Sequence, residues 1–257
     1  MIKGLLHFHQ GWTDIVNCLP LIDFYLDKGY DLTVISRHYA KDIVEHYIRG
    51  KANVKIVYAL TDDTDSLATA LANTGEYRLL FHGFHDSFRR LDDEKRGAFG
   101  SAFRPSAGSH FVKLFYEVYD IPYMQRVIDF NIVRDYSLED IEYNRFVETH
   151  GDSYILYHGD IKSRNIIITS NLYNSVNLNG ITNNVFSFIK VLENAKELHL
   201  IDSIWASFCY LLNAKYGLLK DKTIYLYPFL DRSGGCVATK NEKVLEPLHL
   251  DNWIIIN

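Results

Sequence analysis

Over the first 85 residues, apolar and polar positions fall into one repeating unit: a short apolar run, a turn, an amphipathic stretch, then another apolar run. The apolar runs at 2–8, 31–36, 54–59 and 77–83 predict strands. Residues 12–28 and 40–49 carry helical spacing and stop at Gly29 and Gly50. TDDTDSLATALANTG, residues 61–75, places acids in a first helical turn and a glycine at the end. Strands alternating with helices in this way predict a parallel sheet.

The pattern then breaks and resumes. Residues 86–110 have little apolar periodicity, and 111–149 hold two helix-like stretches around a short apolar run, 131–135, that reads as a strand. From 153 onward alternation returns, with strands at 153–158, 166–170, 175–180, 197–201 and 223–229 and helices at 183–195 and 204–217. The expected fold class is α/β: two Rossmann-like halves facing across a cleft, with a helical insertion in the first half. Residues 1–150 form the first predicted domain and 151–257 the second. No repeat or low-complexity tract interrupts this scheme.

Composition narrows the class further. A chain of 257 residues with 47% hydrophobic and 23% charged residues, five prolines and fifteen glycines is neither disordered nor fibrous. Its 18 tyrosines and 15 phenylalanines suit either broad amphipathic contact surfaces or a tyrosine-rich core. The net charge of −5 provides no global positive field, so nucleic acid is not the expected partner. Cys18, Cys209 and Cys236 stand far apart without a CxxC pair and read as buried thiols of a reducing compartment. Neither a signal-peptide pattern nor an apolar run of the ~18 residues needed for a spanning helix occurs, so a cytoplasmic location is expected.

In open parallel sheets, ligands bind beyond the carboxyl ends of the strands, which directs attention to four places. After the first strand comes HFHQGWTD: Gly11 admits a close backbone approach, and Asp14 opens the next helix either as a general base or as a cap. After the fourth strand, HGFHD offers His82 and His85 as a polar wall for a hydroxylated substrate. Their spacing is not that of a helical metal pair, and no metal site is expected.

YHGDIKSRNIIIT contains His158, Asp160, Lys162 and Arg164, whose two cations suit a diphosphate. Read alone, His158-Gly159-Asp160 with Asn165 also matches the catalytic loop of a small-molecule kinase. A kinase needs a preceding antiparallel lobe, whereas the first 85 residues read as βα units. The fourth place is Asp202-Ser203, at the mouth of a helix, where free backbone N–H groups would take a phosphate or where Ser203 simply caps the helix.

The segment LENAKELHLIDSIWASFCYLLNAKYG resembles the donor-nucleotide segment of GT-B glycosyltransferases of the heptosyltransferase-like kind. GWTDIVNCLPLIDFYLDKG is similar to their N-terminal glycine-plus-aspartate turn and its proline-bearing helix, though the turn here reads GWTD where the family form is richer in glycine. FYEVYDIPY and YHGDIKSR resemble stretches of glycosyltransferase-like proteins of bacteria and large viruses. The resemblance implies transfer of a sugar from a nucleoside-diphosphate sugar to a glycan or other hydroxyl acceptor, without metal or further cofactor. Asp14 would be the catalytic base with His9 as the next candidate, and His158, Asp160, Lys162, Arg164, Asp202 and Ser203 would form the donor side. Gly11, His82, His85, Tyr116 and Glu117 would line the acceptor side. The alternatives are the kinase and a non-catalytic nucleotide- or carbohydrate-binding protein.

Overall fold

The computed structural model describes residues 2–8, 11–59, 64–83, 111–117, 119–159, 166, 168, 173–201, 203–227, 231–232, 236–237 and 251–256. The chain divides into two compact units, residues 1–132 and, for the bulk of the second, 133–232 with 237–257.

In the first unit, β1 (Ile2–His7), β2 (Tyr30–Arg37), β3 (Val54–Ala59) and β4 (Arg78–His82) form one sheet in the order β3-β2-β1-β4. Every pairing is parallel, as the alternation predicted. Leu5, Leu6, Val34 and Ile35 on the central strands are wholly buried, which is what the unbroken apolar runs require when both sheet faces are covered.

The single helix expected over 12–28 is two: α1 (Trp12–Cys18) and α2 (Pro20–Leu26), parted at Leu19. Pro20 has no N–H to bond the preceding turn, so one ladder closes before it and the next opens with proline in the favoured first position. α3 (Lys41–Ile48) enters through a 3₁₀ turn, His38–Ala40, and α4 (Thr64–Asn73) follows β3. Gly29 and Gly50 take φ of 80° and 77°, the left-handed conformation that stops a helix with no Cβ penalty.

Two short helices of the middle segment, α5 (Phe111–Glu117) and α6 (Gln125–Ile128), belong to the first unit. Buried polar contacts tie them down. The Tyr116 hydroxyl donates to the Asn17 carbonyl at 2.6 Å, and the wholly buried Arg126 donates from Nη1 to Asn17 Oδ1 at 2.7 Å. Nearby, Tyr47 donates to Asp23 Oδ2 at 2.6 Å, and Lys51 Nζ reaches Asp23 Oδ1 at 2.7 Å and the Asn131 carbonyl at 2.8 Å.

The division at 132/133 differs from the expected one near 150, because α7 (Tyr136–His150) packs with the second unit. Residues 131–135 form no strand; their last member, Asp135, instead caps α7 by accepting from the Leu138 N–H at 3.0 Å. Phe146 on α7 meets Tyr154 at 4.6 Å and Phe188 at 5.8 Å between ring centroids. Arg134 bridges the buried Glu139 to Glu193, donating from Nε to Glu139 Oε1 at 3.0 Å and from Nη1 to Glu193 Oε1 at 2.8 Å. Those hydrogen bonds hold the guanidinium well above its usual range, Glu139 contributing most.

The second sheet contains β5 (Tyr154–His158), β6 (Asn174–Asn177), β7 (Glu197–Ile201), β8 (Thr223–Tyr227) and β11 (Trp253–Ile255), in the order β11-β8-β7-β5-β6. All are parallel. Of the expected strand at 166–170, only Ile166 and Ile168 are described, and neither is in a strand. The helix foreseen at 183–195 starts as a 3₁₀ turn, Val185–Phe188, capped by Asn184, and continues as α8 (Ile189–Asn194). α9 (Ile204–Tyr216) ends at Gly217 with φ 65°, and β9 (Asp231–Arg232) and β10 (Cys236–Val237) make a separate small pair. Strand β11 was not foreseen in the final WIIIN.

Truncating Arg134 strands the Glu139 carboxylate in the interior. Arg134→Ala is expected to destabilise the protein by about 3 kcal/mol, the usual scale for breaking a buried pair. Urea unfolding of the variant beside the parent checks this; a loss within ~0.5 kcal/mol, the scale of an ordinary surface change, overturns it.

Candidate active site

Strand order fixes where each sheet can bind. In the first sheet the chain steps outward from β1 to β2 and β3, then returns to the other side of β1 as β4. The connection after β1 therefore runs to one side and the one that enters β4 comes back to the other, so the order reverses between β1 and β4, the place on an open parallel sheet where ligands bind. His7 and His82 are register partners there, and the Gly83 N–H closes the edge onto the His7 carbonyl at 2.8 Å.

His7 is wholly buried, with Nε2 3.8 Å from Asp65 Oδ1 on the first turn of α4. Sequence reasoning missed this pair. From sequence, His7 falls inside the strand at 2–8 and Asp65 in the acidic first turn of a helix; the packing of α4 against β1 is what brings them together.

Asp14 stands in the first turn of α1, three residues after the N-cap Gly11, whose backbone is extended at φ −77° and ψ 146°. Its carboxylate folds back over that glycine: a Cβ built on Gly11 would lie 2.5 Å from Asp14 Oδ2. This is the direction taken by the third helical residue in a capping box, and it holds the carboxylate at the strand-end edge. Trp12, beside it in sequence, packs on Tyr39 with ring centroids 5.1 Å apart. Its carboxylate is thus placed at the helix start, the position from which both roles weighed from the sequence, base and cap, are open to it.

The remaining residues assigned to the acceptor side separate. Tyr116 has 0% exposure and its hydroxyl is spent on Asn17, so it is a core residue of the first unit rather than a wall of the site. Burial pushes its phenol well above the ordinary value. Glu117 is exposed and pairs with Lys113 at 3.2 Å, one turn back on α5. His9 and His85 lie outside the described residues, and for His82 only the strand position is described.

In the second sheet the change of direction falls between β5 and β7, because β6 lies on one side of β5 and β7, β8 and β11 on the other. Two regions singled out from sequence end at this point. His158 closes β5 in register with Leu200 of β7, and the Asn179 side-chain amide donates to the carbonyl of Gly159, the next residue. Beyond β7, Ser203 is the N-cap of α9, with extended backbone at φ −157° and ψ 179°.

The Ser203 hydroxyl is buried, makes no side-chain cap, and has no hydrogen-bond partner among the described residues. Its carbonyl accepts the Ser207 N–H at 3.0 Å, the first bond of the helix. The N–H groups of the first turn thus have no partner within their own helix, next to an unsatisfied hydroxyl at the positive end of a 13-residue helix. An anion such as phosphate satisfies both. Asp160, Lys162, Arg164 and Asp202, the other residues assigned to the donor side, lie outside the described residues.

Among the described residues, no group of three or more His, Cys, Asp or Glu side chains is placed to hold a metal ion, and no helix is long and apolar enough to cross a membrane. Cys18 and Cys209 are buried, and burial pushes the Cys209 thiol far up.

No protein-family model and no curated protein sequence matches the chain. Solved structures do. The chain is similar to E. coli ADP-heptose LPS heptosyltransferase II with a TM-score of 0.55 at 10% identity, spanning 100% of this chain and 90% of that one. A glycosyl transferase family 9 protein from Veillonella parvula aligns at a TM-score of 0.43 and 10% identity over 88% and 79% of the two chains. E. coli heptosyltransferase WaaC with ADP-2-deoxy-2-fluoro heptose aligns at 0.43 and 10% over 99% and 93%. The first of these, together with two all-parallel sheets in consecutive α/β units, establishes the fold: it is GT-B-like, similar to that of heptosyltransferase II.

Proposed function

We propose that the protein is a glycosyltransferase that moves a sugar from a nucleoside-diphosphate sugar to a hydroxyl acceptor without a metal ion. The observation that carries this reading is Ser203: a buried hydroxyl at the start of α9 with no hydrogen-bond partner among the described residues, beside the β5/β7 switch point. A diphosphate is the group that such a helix start recognises. The similarity to an enzyme described by ADP-heptose points the same way.

In this reading the second unit holds the donor. The α9 N-terminus and Ser203 bind the diphosphate, and Lys162 and Arg164, which follow β5 in sequence, add charge. The first unit supplies Asp14. As the acceptor oxygen bonds to the anomeric carbon, Asp14 takes the hydroxyl proton, and the bond from that carbon to the diphosphate oxygen breaks. Negative charge then grows on the departing nucleoside diphosphate, where the helix dipole and the two cations stabilise it. Such preorganised donors do the work a metal ion does elsewhere.

Thermal-shift measurements with ADP, UDP, GDP and dTDP in the absence of magnesium test the donor assignment directly. At least one of them is expected to raise Tm, since a ligand that binds only the native state stabilises it by mass action. Stabilisation only by ATP with magnesium overturns the reading in favour of a kinase, although the parallel sheet of residues 2–82 is not the antiparallel lobe a kinase carries. Ser203→Ala should weaken binding of the responding nucleotide by about 0.5–1.5 kcal/mol, the net worth of one hydrogen bond, and Arg164→Ala by about 1.5–3 kcal/mol for a charged contact. Titration calorimetry reads both, and parental affinity in both variants removes them from the site.

Asp14→Asn retains size and capping ability but cannot take a proton. It is expected to leave donor binding intact and to lower turnover about 10²–10⁴-fold, the usual worth of a general base. Release of nucleoside diphosphate from the matching nucleotide sugar supplies the assay. A parental rate in this variant leaves Asp14 as a cap only; donor binding with no turnover in the parent marks a binding protein.

A further inference from the structure

Gly11 reads from sequence as a place where the backbone comes close to a ligand, but the space above it is already taken. A Cβ at this position would sit 2.5 Å from Asp14 Oδ2, 3.4 Å from Asp14 Cγ and 3.9 Å from Asp14 Cβ, and no other residue supplies its three nearest contacts. The vacancy left by the missing side chain is filled by one carboxylate.

The backbone at Gly11 gives no second reason for glycine. Its φ of −77° and ψ of 146° are ordinary extended values that alanine adopts without strain. The Gly11 carbonyl accepts the Ile15 N–H at 2.9 Å, a bond that any residue makes. What a side chain would change is therefore the location of the Asp14 carboxylate. At 2.5 Å the two groups cannot coexist, and the flexible partner is Asp14, whose χ1 and χ2 swing the carboxylate away while the backbone stays.

We infer that Gly11 is a positioning residue: its lack of a side chain lets the Asp14 carboxylate fold back over the start of α1, at the carboxyl edge of the first sheet. The catalytic half of this inference rests on the reading of Asp14 as general base; the structural half does not. Displacement of a base by about 1 Å costs on the order of 10²-fold in rate, and a residue that acts only through another adds nothing once that other is disabled.

Two measurements on Gly11→Ala test it. The first needs no substrate: the protein is labelled with [4-¹³C]aspartate, and the Asp14 carboxyl resonance is assigned by its loss in Asp14→Asn. The inference expects that resonance to move in Gly11→Ala while the other aspartates and Tm stay close to parental. An unmoved Asp14 resonance overturns it.

The second measurement is a rate cycle with the nucleotide sugar found to bind. Gly11→Ala should lower kcat about 10²-fold with donor KM unchanged, and Gly11→Ala combined with Asp14→Asn should be no slower than Asp14→Asn alone. If Asp14→Asn is slow and Gly11→Ala runs at the parental rate, the positioning role falls and the base survives. If Asp14→Asn itself runs at the parental rate, the base reading falls, and a moved resonance in Gly11→Ala still upholds the structural half.

Discussion

Parallel strand pairing is the constraint from which the functional geography follows. A chain that pairs parallel must cross a sheet face between successive strands, so all carboxyl ends in a sheet lie on one edge and all turns that follow them gather there. Every described pairing in the two larger sheets is parallel. The consequence is economical: residues far apart in sequence reach one edge because of strand order, not through contacts of their own. Ser203 and Gly159 are neighbours in this sense only because β7 pairs with β5 while β6 takes the other side.

The irregular middle of the chain obeys a different rule. Its described residues between 111 and 131 bury Phe115 and Phe130, and buried hydrogen bonds and charges fix them in place. Asn17 receives both the Tyr116 hydroxyl and the Arg126 guanidinium, so one polar side chain and its carbonyl fasten α5 and α6 to α1. Asp23, Tyr47 and Lys51 do the same for the segment ending at Asn131. Burying such groups is costly unless each finds a partner, and the partners dictate which unit each segment joins.

This explains what the sequence made legible. The strands at 54–59 and 197–201 and the glycine stops at Gly29 and Gly50 were readable because period and punctuation are local. The break at Leu19 was signalled by Pro20, but a proline in the first turn of a new helix looks the same as one inside a longer run. Residues 131–135 mimic a strand in apolar content, and only the cap from Asp135 shows them to be a lead-in to α7. The site divides likewise. Asp14 and Ser203 follow strands in sequence, so their place at a sheet edge is legible from that alone, whereas His7 beside Asp65 depends on α4 packing against β1, which no local pattern records.

Cys18 lies in α1 of the first unit and Cys209 in α9 of the second, and neither exposes any surface. A thiol reagent therefore reaches either one only when the local structure opens, and its rate of modification reports the free energy of that opening. Among the described residues, each unit thus carries one native clock, set in a helix that starts beside a candidate functional group. Comparing the two rates with and without a bound nucleotide would show which unit the ligand braces, without adding a single foreign label to the fold.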